Sequence, residues 1–214
     1  NNSGTLSGAG SDNLEAVLDN FSKLTFTNSG MISGAVDDGV DFDIGNDSQL
    51  IFINSGTIKG SGDQTQVGNG RDDSILSLSN SGTISNAGDD NIRIDLDQNS
   101  VLTLNNSGTL SGAGSDNLEA VLDNFSKLTF TNSGMISGAV DDGVDFDIGN
   151  DSQLIFINSG LITGSGDKNI EVNGREDSIL TLSNSGTISN AGDDNIRIDL
   201  DQNSVLTLNN SGNL

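Results

Sequence analysis

Aspartates are the residues best equipped for chemistry in this chain, and they recur at a fixed spacing. Asp12, Asp38 and Asp90, then Asp116, Asp142 and Asp194, stand at multiples of 26 residues from one another, in a column interrupted by Gln64 and Lys168. Ser11, Asp37, Asp63 and Asp89 form the column beside it. Carboxylates brought one above another repel, and Ca²⁺, a hard cation with many oxygen ligands, relieves the repulsion. Asp38, Asp90, Asp142 and Asp194 are therefore the candidate metal ligands. The competing reading is a solvated acidic face that keeps the protein soluble. It takes precedence, because the glycine-rich G-G-x-G-x-D nonapeptide of calcium-dependent β-rolls is absent.

Catalysis is the other use of clustered carboxylates. Asp37, Asp38, Asp41 and Asp43 lie close in sequence, and they recur unchanged as Asp141, Asp142, Asp145 and Asp147. An active site needs groups of unlike pKa and a local departure from the repeat that shapes a cleft. Faithful copying supplies neither. The chain has no His and no Cys, which removes the usual general base, the usual zinc ligands and any disulfide framework. We therefore expect no catalytic residue and no enzyme. A net charge of −23 argues against nucleic acid as a partner. No apolar run approaches the length of a membrane span, no targeting signal is visible, and the chain reads as a stretch of something longer.

A repeat must position these groups. The triplet Asn-Ser-Gly begins at Asn2, Asn28, Asn54, Asn80, Asn106, Asn132, Asn158, Asn184 and Asn210, always at an interval of 26 residues. A period of this size marks a solenoid, whose units gain a core only by stacking. Within the unit from Asn80 to Asn105, apolar residues fall at Ile84, alternate as Ile92, Ile94 and Leu96, and alternate again as Leu102 and Leu104. Alternation with period two predicts short strands. The segments 85–91 and 97–100, rich in Asn, Asp, Ser and Gly, predict turns, and Asn-Ser-Gly is the third corner. The expected fold is all-β: a parallel β-helix of eight coils with about three short strands each and uncapped ends. Residues 1–214 form one solenoid, in which a four-coil module, 1–104, is duplicated as 105–208 and followed by a partial coil, 210–214.

Stacking sets identical residues about 4.8 Å apart, a distance that lets one Asn amide donate to the next. Asn28, Asn54, Asn80, Asn106, Asn132, Asn158 and Asn184 are thus expected to form a side-chain ladder, with the following glycine supplying a positive φ at the corner. The third coil departs from its counterpart, the seventh: Gln66 and Gly68 stand where Ile170 and Val172 do. It should be the weakest rung, unless a one-residue slip swings Val67 inward. Outward Thr25, Ile51, Ser77 and Thr103 are too mixed for an ice-binding ladder; Ile51, Ile53, Ile155, Ile157, Met31 and Met135 form separate small apolar spots, to be read either as lateral contacts between solenoids or as the scattered surface apolars that are common and usually mean nothing. Both ends share one phase, which predicts head-to-tail self-association.

Segments such as Leu102-Thr103-Leu104-Asn105-Asn106-Ser107-Gly108-Thr109-Leu110 and Leu78-Ser79-Asn80-Ser81-Gly82-Thr83-Ile84 resemble the repeats of β-helical passenger regions in bacterial autotransporter and haemagglutinin-like surface adhesins. The resemblance extends over all eight units. It implies a right-handed coil, secretion to the cell surface or beyond, a role as stalk or adhesive fibre, and a host or surface receptor as partner. The alternative expectation is an extracellular repeat protein that Ca²⁺ stiffens.

Overall fold

The structure is a computed structural model that describes residues 1–34, 38–60, 66–85, 88–164 and 166–214. Asp37, Asp63 and Gln64, and the side chains of Gln66 and Val67, lie outside the described residues. Every regular element among the described residues is a β-strand. Each coil contributes one strand to each of three eight-stranded parallel sheets. The long sheet is built of six-residue strands, from Lys23–Asn28 to Val205–Asn210. The short sheet holds three-residue strands, from Thr5–Ser7 to Thr187–Ser189. The third, here called the acidic sheet, runs from Glu15–Leu18 to Arg197–Leu200. The molecule is a β-solenoid.

Register follows from the alternation of side chains. Leu102 pairs with Leu76 and Leu128, and Leu104 with Leu78 and Phe130, so each residue meets its equivalent 26 positions away. A slip by one residue would turn Leu102 and Leu104 outward and bring Thr103 in, which the buried face forbids. The inward columns form a single core. In it Phe130 and Phe156 stack with centroids 4.9 Å apart and Phe146 meets both rings edge-on. Each such side chain contributes about 1.5–3 kcal/mol by leaving water.

The three corners use three devices. Between the long and short sheets, Asn Nδ2 donates to the Oδ1 of the next coil at 2.8–2.9 Å, unbroken from Asn2 to Asn210. The backbone joins in: Ser107 and Gly108 N–H both donate to Asn80 O, at 2.8 and 3.1 Å. The glycine here does not serve the φ expected of it. Among the described glycines only Gly34 and Gly138 have positive φ. A Cβ on Gly108 would instead land on the carbonyl oxygen of Gly82 in the coil before, and the same holds from Gly30 to Gly212. Close approach of stacked backbones, not handedness, requires glycine at this corner.

Left-handed backbone occurs at the corner between the acidic and long sheets, at Phe21, Asp47, Asp73, Asn99, Phe125, Asp151, Asp177 and Asn203, with φ of 55–62°. The next residue is always serine, and its hydroxyl forms a second ladder. Ser100 Oγ accepts from Ser74 N–H at 3.2 Å and donates to Arg71 O at 2.9 Å. By sequence this serine is only part of a turn, although it recurs in every unit.

The third coil keeps its register: Val40 pairs with Gln66 and Phe42 with Gly68, without the one-residue slip. Its two described inward glycines differ. A Cβ on Gly68 would meet Ile94 and Leu76 at 3.8 Å, ordinary contact, whereas one on Gly70 would meet Leu76 at 2.8 Å and Leu96 at 3.0 Å. Gly68→Val, the residue of the seventh coil, is expected to raise stability by about 1–2 kcal/mol, and Gly70→Val to lower it by about as much or more. Thermal melting of the two variants checks this, and a shift of the same sign in both would refute it.

Candidate functional site

The corner from the short to the acidic sheet carries the aspartate column. Its carboxylates hold the backbone of the following coil: Oδ1 of Asp12, Asp90, Asp116 and Asp142 accepts from the N–H of Asp38, Asp116, Asp142 and Lys168, at 3.2, 3.1, 2.7 and 3.0 Å. Of these four, Asp90 and Asp142 are buried, only 2% and 3% exposed, while Asp12 and Asp116 are half-buried.

Of the four candidate metal ligands, no two are in adjacent coils. Asp38 is half-buried and Asp194 exposed. Asp142 has Lys168 above it, with Nζ 3.6 Å from its carboxylate and 2.9 Å from Glu171. Among the described residues, Asp90 is the one of the four that belongs to a cluster of three carboxylates. Carboxylate oxygens of Asp90, Asp116 and Glu119 lie within 4.8 Å of one another. The cluster spans the junction between the two modules, with Asp90 in the fourth coil and the other two in the fifth. Glu119 is the member that sequence reading missed. It faces outward from the acidic sheet, where its Oε2 accepts from Arg93 Nη1 at 2.6 Å.

Crowding and burial raise these acids. Desolvation, then a hydrogen bond with Glu119 and the charge of Asp89, push Asp90 up to about 8. Burial raises Asp116 to about 6. Burial with a hydrogen bond to Glu171 raises Asp142 to about 7. Asp145 reaches about 7 through burial and the charges of Asp147, Asp116 and Glu171. In the sheet it lies between Glu119 and Glu171. Cations answer part of this negative charge: Arg93 pairs with Glu119, and Lys168, bound to Glu171, is raised in turn. Chemically, the junction offers oxygen donors to a cation or shared protons among carboxyls. Asp41 and Asp43 pair with Val67 and Asn69 in the neighbouring coil, and Asp145 and Asp147 with Glu171 and Asn173.

The charge is sharply segregated. None of the 31 acidic residues belongs to a strand of the long or short sheet or to an Asn-Ser-Gly corner. Fold and site together define a β-solenoid repeat protein with one acidic side. No family model, no curated protein and no solved structure matches this chain.

Proposed function

We propose that the chain is a structural stalk or adhesive fibre segment of an extracellular bacterial repeat protein, without catalysis. What supports this is the ladder of Asn side chains and paired strands that continues through every coil at one register. A stack of this kind transmits load along its axis through hydrogen bonds and gains length in equal steps. Each further 104-residue module should lengthen the particle by roughly 20 Å, four coils at about 4.8 Å. Small-angle scattering from chains with added modules measures it, and growth like that of a sphere would sink the proposal. A receptor on a host or other surface belongs to the adhesive form of this reading. So does end-to-end stacking, although Asn213 bridges Thr187 at the place Thr5 of a following copy would take, so residues 210–214 must move aside for it.

A second reading rests on the cluster of Asp90, Asp116 and Glu119. Ca²⁺ bound there would replace repulsion by coordination and stiffen the module junction. Millimolar Ca²⁺ is then expected to raise the melting temperature by several degrees, and Asp90→Asn with Glu119→Gln to abolish the rise. A melting curve indifferent to Ca²⁺ excludes this reading.

A further inference from the structure

The long sheet turns outward a face of eight strands with three outward columns, and its only charged side chains are Lys23 and Lys127. Ile53 and Ile75 lie on it 39% and 49% exposed, and Ile157 and Ile179 repeat them one module later. A molecule of net charge −23 has placed all its acids elsewhere.

The rim of this face carries a second anomaly. Six of the eight Phe residues are in the core strands, but Phe21 and Phe125 sit at the left-handed corner, 77% and 54% exposed, where six other coils have Asp or Asn. Positive φ is costly for a bulky side chain, and more than half of each of these residues stays exposed. Each stands two residues before Lys23 or Lys127, at the edge of the long sheet.

We propose that this face is a lateral interface whose occupant is a second copy of the solenoid, packed side by side. Three observations select that partner. Eight strands at about 4.8 Å and six residues at about 3.3 Å give roughly 800 Å² per copy, the size of a standard protein interface. Strong like charge forbids approach by the acidic side, while pairing through the long sheet keeps the carboxylates of both copies away from the contact. The apolar spots and the exposed Phe recur every four coils, about 19 Å, and a copy of the same chain is the partner that meets both sets with the same spacing. The inference is independent of the stalk reading, because it concerns the flank of the solenoid.

Sedimentation of the full chain, with cross-linking, tests it. The chain is expected to dimerise at concentrations on the order of 100 μM, and Ile53→Lys with Ile157→Lys to weaken that roughly tenfold or more. Val17→Lys with Val121→Lys, on the acidic sheet, changes net charge equally and is expected to leave the dimer intact. Both pairs reduce the overall negative charge, so general repulsion predicts stronger association for each; a loss confined to the Ile pair reports the interface. Because the chain has no Cys, Thr103→Cys in the middle of the face should cross-link two copies through a short bismaleimide, and Asp95→Cys should not. A wild-type chain that stays monomeric at ~1 mM overturns the proposal. So does association that survives the Ile substitutions, which would assign it to the ends of the solenoid.

Discussion

Gly108→Ala is expected to lower the melting temperature sharply by prising apart two coils in the middle of the solenoid, whereas Gly4→Ala leaves it unchanged. The two glycines occupy the same place in the repeat. Gly4 is in the first coil and has nothing within 4 Å of a built Cβ, while a Cβ on Gly108 would lie on Gly82 O and 2.7 Å from the carbonyl carbon of Ser81. No side chain can yield, because the obstacle is backbone. To make room, the fifth coil must lift from the fourth at its corner, stretching the bonds from Ser107 and Gly108 to Asn80 O and the 2.9 Å bond from Asn80 to Asn106. Asn80 and Asn106 are buried, so their amides have no water to turn to. Overpacking together with lost buried hydrogen bonds costs on the order of 3–5 kcal/mol, a fall of roughly 10 °C or more in melting temperature for a chain of this size. Equal melting of the two variants would show that the corner is looser than its geometry.

The same corner shows what a sequence can carry. The interval of 26 residues and the alternation of Leu102 and Leu104 with polar neighbours are enough to place strands, turns and inward columns, because period and alternation are properties of the chain alone. The stacking of equivalent residues then puts Asn28 over Asn2 and Asn54 over Asn28. What the pattern does not contain is the distance between columns. Asp90 and Glu119 are separated by one coil plus three residues, and only the path of the turn decides that their oxygens come within 4.8 Å. The corner glycine was legible as a necessity but not in its cause, since a tight turn and a backbone collision select the same residue. Ser100 looked like any turn serine until its hydroxyl was seen to bridge two coils. The exposed Phe21 and Phe125 were hidden among six core phenylalanines for the same reason: residue type predicts burial only on average.

Acidification from pH 8 to pH 5 is expected to stabilise the protein, by about 5–10 °C in melting temperature. The sign follows from the direction of the shifts. Asp90, Asp142 and Asp145 are raised to about 8, 7 and 7, and Asp116 to about 6, from the ordinary aspartate value of 3.8. Between pH 4 and pH 8 the folded state therefore binds more protons than the unfolded state, so stability is highest near the lower limit and falls as pH rises through the folded pKa values. Lys168, raised above the ordinary lysine range, contributes stability that is constant across this window. Glu171, for which hydrogen bonds from Lys168 and Asp142 outweigh burial, is lowered and loses its contribution only below the window. General relief of the −23 net charge would act in the same direction. Two substitutions separate the effects. Asp90→Asn, which keeps the shape of the protonated acid, should raise the melting temperature at pH 8 and change little at pH 5. Asp199→Asn removes the same charge from a side chain 60% exposed and should do neither to a comparable degree. Similar gains from both at pH 8 would assign the pH dependence to overall charge, and a melting temperature that falls on acidification would remove the buried carboxyls as its source.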